Sequence, residues 1–177
     1  THGEPSVSNA HPHVCRGEVA LVHNGIIENH ESLRAEQLAA GHEFHSHTDT
    51  EVVVNRVYDY LQEGANLLSA VQRTTADLEG AYALGVICKS DPDCLVVARR
   101  GSPLVIGLGI GENFVASDVF ALLPVTQRFI FLEEGDVAEV RRDSVQIFDE
   151  TGAPVARRES ISELSADAAE KSGYRHF

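Results

Sequence analysis

The period of the hydrophobic pattern changes at Gly80, and this constrains the fold of the 177-residue chain more than any other feature. Before Gly80, apolar residues recur at helical spacing. Leu33 and Leu38, supported by Ala35, Ala39 and Ala40, predict a helix starting near Asn29 and ended by Gly41. Thr48 or Asp49 is suited to cap a second helix, with Glu51 in its first turn, where the helix dipole favours an acid. Val53, Val57, Tyr60 and Leu61 share one face of that helix, and Gly64 closes it. Asn66 starts a third helix carrying Leu67, Leu68 and Val71. After Gly80, short apolar runs alternate with turn residues, predicting strands over 81–88, 94–98, 104–108, 114–116, 129–132, 137–141 and 144–149. Residues 118–123 form a helical turn or two, stopped by Pro124, and 18–22 make an earlier strand. Residues 1–17 read as loop and 154–177 as a polar, irregular linker. Helices followed by mostly antiparallel strands define an α+β fold.

Charge narrows the partners. The chain carries 14 basic and 27 acidic residues, a net charge of -13, which repels phosphate backbones and anionic lipid. Nucleic acid and membrane are therefore not expected partners, and no apolar run reaches the length of a membrane span. Three cysteines, Cys15, Cys88 and Cys94, fit a reducing, cytoplasmic setting better than a disulfide framework. Cys88 and Cys94 flank a predicted hairpin turn, so a redox pair competes there with two ordinary buried strand cysteines, and the second reading is favoured.

Four local patterns carry chemistry or imitate it. Asn24-Gly25 lies between apolar runs and, from pattern alone, reads first as a hairpin turn. The alternative is an oxyanion hole, since a glycine N–H and an asparagine amide are neutral donors suited to a developing alkoxide. Thr48-Asp49-Thr50-Glu51 reads as a helix N-cap or, functionally, as a site where Asp49 at a pocket mouth pairs with a ligand ammonium. His11 and His13, with His42, His45 and His47, invite a zinc reading, but no cysteine or carboxylate accompanies them at a familiar spacing, so solvated loop histidines are expected and no metal. Gly101, Gly107, Gly109 and Gly111 do not open a helix within a βαβ unit, and turns between strands are the expectation.

The order of the motifs adds what no single one supplies. Thr1-His2-Gly3-Glu4-Pro5-Ser6, Asn9-Ala10-His11-Pro12-His13, Val22-His23-Asn24-Gly25-Ile26-Ile27-Glu28-Asn29, Thr48-Asp49-Thr50-Glu51 and Leu78-Glu79-Gly80-Ala81-Tyr82 follow one another in sequence. Together they resemble the glutaminase domain of the N-terminal-nucleophile (type 2) glutamine amidotransferases. Arg100 to Gly107 and Asn113 to Asp118 continue the resemblance. The stretch Thr126 to Val140, with Phe131-Leu132-Glu133-Glu134-Gly135-Asp136, and the ending Tyr174-Arg175-His176-Phe177 look like the glucosamine-6-phosphate synthase family within that group.

The resemblance implies an αββα sandwich of antiparallel sheets lacking its first strands. Residues 1–153 would be glutaminase, and 154–177 an extension leading to a sugar-isomerase half. It implies hydrolysis of L-glutamine by an N-terminal cysteine, with ammonia passed to fructose 6-phosphate, no cofactor, and a homodimer formed through the isomerase half. Carried over by position, Asn24 and Gly25 form the oxyanion hole, and Asp49 holds the glutamine ammonium. Thr1 and His2 line the glutamine pocket, and His23 supports Asn24. Thr1 falls within the family's Thr-His-Gly-Glu loop and not at its nucleophile, so this polypeptide alone is expected to be inactive. The rivals are another amidotransferase of the class, such as amidophosphoribosyltransferase, and a non-catalytic glutamine-binding module.

Overall fold

The computed structural model describes residues 4–162, so Thr1, His2, Gly3 and the stretch 163–177 lie outside the described residues. In chain order the elements are β1 (His13–Cys15), β2 (Val19–Ile27), α1 (His30–Ala39), α2 (Thr50–Gln62), α3 (Leu67–Asp77), β3 (Gly80–Cys88) and β4 (Asp91–Arg100). They are followed by β5 (Val105–Leu108), β6 (Asn113–Ala116), a 3-10 turn (Val119–Ala121), β7 (Arg128–Phe131), β8 (Val137–Val140), β9 (Val145–Phe148), β10 (Pro154–Val155) and β11 (Glu159–Ile161). The strands form a seven-stranded sheet in the order β1-β2-β3-β4-β8-β9-β10 and a four-stranded sheet in the order β11-β7-β5-β6. Every pairing between these strands is antiparallel.

The period-2 alternation of the strands builds two cores. Leu21 and Ile27 of β2, Leu84 and Val86 of β3, and Val96 and Ala98 of β4 pack under Val52, Val53, Val57, Ala70 and Val71 of the helices. The neighbouring strand positions, Ala83 and Val97, point the other way and meet Leu104, Ile106 and Leu132 between the sheets. The outer face of the small sheet, at Val105 and Phe129, is covered by Leu122 and Leu123. The layers are therefore helix, sheet, sheet. Where the resemblance implied a second helical layer, the described residues supply only the 3-10 turn and the segment after it.

The predicted helices form. Asn66 caps α3 by accepting the Ser69 N–H at 2.8 Å, and Gly41 and Gly64 follow the ends of α1 and α2 at positive φ. The strands over 81–149 also form within a few residues of their predicted bounds. Two stretches differ from the sequence reading. His13–Cys15, read as loop, is an edge strand on β2. In the segment read as irregular linker, Pro154–Val155 pairs with β9 and Glu159–Ile161 with β7, so each sheet gains a short strand from it. Arg157, between them, donates from Nε and Nη2 to the fully buried Asp136 at 2.9 and 2.8 Å, while Asp136 also accepts the Glu133 N–H at 2.7 Å. Among the described residues no helix is long and apolar enough to cross a membrane.

Candidate active site

Asn24 and Gly25 do not form a turn. They lie inside the nine-residue β2, opposite Ala83 and Tyr82 of β3. The turn reading fails because nine paired positions along β3 outweigh a two-residue local preference. Gly25 has φ +133, and a Cβ there would stand 2.0 Å from the Ala81 carbonyl oxygen. Only glycine fits, and its peptide approaches β3 more closely than any side chain allows.

Facing this segment is the start of α2. Asp49 occupies the N-cap position but makes no side-chain capping bond. Its Oδ2 instead accepts the Ile27 N–H at 2.8 Å, tying the helix start to the end of β2. The dipole-favoured Glu51 secures the loop before the helix, accepting the His45 and Ser46 N–H groups at 2.8 and 2.7 Å and the Ser46 hydroxyl at 2.6 Å. With these bonds holding the loop, Asn9, His11, His23, Asn24, Gly25, Thr48, Asp49 and Thr50 surround a cavity of about 270 Å³. Asp49 is 2% exposed, so it belongs to the floor of this cavity and not to its mouth.

Histidines form the wall. His23 Nδ1 lies 3.0 Å from Thr50 Oγ1 and 4.0 Å from Asp49 Oδ1, while its buried Nε2 has no partner. Burial pushes the His23 imidazole down to about 4, a shift that the Asp49 charge only partly opposes. Burial likewise lowers His11 and His13. His11 Nε2 reaches Thr50 Oγ1 at 3.4 Å, and His13 Nε2 lies 3.1 Å from Thr48 Oγ1. A neutral His23 does not compete for the Asp49 carboxylate, so the floor can receive a cation from the cavity.

Of the five histidines expected to be solvated, His11, His45 and His47 are exposed, whereas His13 and His42 depart from the expectation. His13 and His23 are buried, and His42 pairs with Asp59 at 2.8 Å. Among the described residues no group of three His, Cys, Asp or Glu is arranged to hold a metal ion. The three cysteines are free and buried, and burial raises the Cys15 and Cys94 thiols to about 11. None lines the cavity.

The structure thus brings Asn24, Gly25, Asp49 and His23 to one cavity. Thr1 and His2 fall outside the described residues. Sequence reasoning gave no role to Thr50, Asn9 or His11 as cavity wall. The signal for His11 was present in His-Pro-His but pointed toward metal. Asn9 gave no chemical signal, yet it closes one side by donating to the Glu4 carbonyl at 2.8 Å and accepting the His47 N–H at 3.0 Å.

Residues 5–124 match the glutamine amidotransferase domain family, and the chain belongs to that family. Its fold is that of the N-terminal-nucleophile amidotransferases. The glutamine phosphoribosylpyrophosphate (PRPP) amidotransferase from B. subtilis, complexed with ADP and GMP, superposes with a TM-score of 0.61 at 24% identity, over 90% of this chain and 33% of that one. A structure described as the allosteric regulatory enzyme of purine biosynthesis gives 0.59 at 23% identity, over 89% of this chain and 32% of its own. At such identities the likeness is one of fold.

Sequence relatives are nearer. The glutamine–fructose-6-phosphate aminotransferases (isomerizing) of Shigella flexneri and Escherichia coli (strain K12) are each 58% identical over all 177 residues. That of Shewanella oneidensis is 57% identical. The chain spans 29% of the length of these relatives.

Proposed function

We propose that this chain is the glutamine-hydrolysing part of an enzyme that transfers glutamine nitrogen to fructose 6-phosphate, giving glucosamine 6-phosphate. The observation that carries the reading is the meeting of Asn24, Gly25 and Asp49 around one cavity. The 57–58% identity to fructose-6-phosphate aminotransferases, sustained over the whole chain, supports this acceptor against PRPP. Glutamine would lie with its ammonium on Asp49 and its side-chain carbonyl toward Asn24 and Gly25. A thiolate attacks the amide carbon, and the oxyanion is held by the Gly25 N–H and the Asn24 amide. The amide nitrogen takes the proton that the thiol gave up and leaves as ammonia, a thioester remains, and water hydrolyses it to glutamate.

The attacking thiolate comes from outside residues 1–177. Each cysteine of the chain is buried in the helix-side core, away from the cavity. Thr1 and His2 line the glutamine pocket in this reading, and His23 holds the wall beside Asn24. The glutaminase unit accounts for residues 1–153, with β10 and β11 extending its sheets. The chain beyond β11 leads to a sugar-isomerase domain through which the enzyme dimerises. Free, buried thiols accord with a reducing cytoplasm.

The test compares the whole gene product with the 177-residue chain. The gene product is expected to aminate fructose 6-phosphate with glutamine. The isolated chain is expected to bind glutamine without hydrolysing it. Asn24→Ala in the gene product should lower kcat roughly 100- to 1,000-fold, the usual effect of deleting one oxyanion donor. Amination of PRPP in place of fructose 6-phosphate would move the assignment to the other branch of the class. Glutamine binding without turnover in the gene product would leave a binding module.

A further inference from the structure

A second cavity, of about 270 Å³, lies on the other side of the segment that carries Thr48 to Glu51. Arg16, Gly41, His42, Glu43, Glu51 and Asn55 are among the residues that line it, and it shares no residue with the first. Three of its polar groups are unmatched. Asn55 is only 4% exposed, and its Nδ2 has no hydrogen-bond partner. A buried carboxamide left this way forfeits its hydration without a replacement bond, so its retention needs a reason. At the exposed rim, Arg16 and Glu43 carry opposite charges, and neither enters an ion pair among the described residues. The Arg16 guanidinium is 5.6 Å from the Tyr58 ring centroid. The other acid, Glu51, is already held by three donors, and His42 by Asp59.

We infer that this cavity binds a free α-amino acid with a carboxamide side chain, at a site separate from the glutamine-hydrolysing one. The ligand's amide pairs with the Asn55 carboxamide on the floor, each giving one donor and one acceptor once the carboxamide turns its buried Nδ2 toward the cavity. Its carboxylate meets Arg16 and its ammonium meets Glu43. A zwitterion suits the rim because it carries both charges and adds none to an acidic protein. His45 and Ser46 bridge this cavity to Thr48, Asp49 and Thr50, so occupancy bears on the loop that forms the floor of the first cavity.

The experiment is an amide-resolved NMR titration of the 177-residue chain with L-asparagine, and separately with L-leucine, its apolar isostere. Saturable shifts at Arg16, Gly41 and Asn55 are expected with L-asparagine. L-Leucine should bind at least about tenfold more weakly, since it leaves Asn55 unpaired. Asn55→Leu should weaken L-asparagine about tenfold or more while keeping the fold, because an apolar isostere removes an unpaired buried group. Arg16→Gln, at the rim, should do the same. Unchanged dispersion at Val19 and Leu84 verifies folding in both variants. The inference is overturned by absence of saturable shifts, by equal binding of the two amino acids, or by shifts confined to Asn24, Gly25 and Thr50.

Discussion

Two regions of this molecule bury an aspartate, and they use it in opposite ways. At the turn between β7 and β8, Asp136 is 0% exposed and takes two bonds from the Arg157 guanidinium and one from the Glu133 N–H. At the start of α2, Asp49 is 2% exposed, yet it takes one backbone N–H, from Ile27, and stands 4.0 Å from a histidine that burial keeps neutral. A saturated buried carboxylate has nothing left to offer a ligand. A partly satisfied one at the floor of a cavity keeps charge and lone pairs in reserve. Burial alone therefore does not separate a structural acid from a binding one, whereas the count of its partners does.

Substitution should split the two. Asp49→Asn keeps an acceptor for the Ile27 N–H and removes the charge, so it should weaken glutamine binding by about 100-fold or more and leave the melting temperature nearly unchanged. Isothermal titration with glutamine, beside a thermal melt, checks both halves. Asp136→Ala should do the reverse. Stability falls by about 2–3 kcal/mol, because the Glu133 N–H and the Arg157 guanidinium lose their partner, and glutamine affinity stays within about twofold. A loss of affinity in Asp136→Ala matching that of Asp49→Asn would collapse the distinction.

A pH series sharpens it further. The folded chain holds His23 near 4, below the ordinary 6.5, so between these values the unfolded chain binds a proton that the folded one refuses. Stability is full above about pH 6.5 and falls as pH drops toward 4, by about 2–3 kcal/mol for His23, with His11 and His13 adding in the same direction. Denaturant melts should locate this fall in the wild type and find it reduced in His23→Gln. The smallest effect is expected of Thr50→Val, which removes the hydroxyl between His11 and His23 and should cost about 1 kcal/mol.

The same contrast explains what the sequence discloses. The helices and the strands after Gly80 are legible because their apolar periods extend over many residues, as in α2, where Val53 and Val57 share a buried face. β1, β10 and β11 are not, since each has three residues or fewer and no period to read. They exist because a neighbouring strand offers an edge. Asn24-Gly25 is misleading for a related reason. Its local chemistry is that of a turn, and only the distant β3 decides that it lies in a strand. The N-cap position of Asp49 is visible in the sequence, but the bond that sets its side chain goes to Ile27, 22 residues earlier. His23 carries no mark of its depressed titration, which arises from burial beneath a helix that the sequence places but does not orient.

The segment holding β10 and β11 has one more consequence. β10 is hydrogen-bonded to the large sheet and β11 to the small one, with Arg157 anchored to Asp136 between them. The two sheets are thereby stitched across their open side by a single stretch of chain. Sliding one sheet over the other would have to unpick that stitch first. A load arriving through Ile161 would be spread over both sheets at once, and the cavity beside β2, at the far end of the large sheet, would be shielded from it.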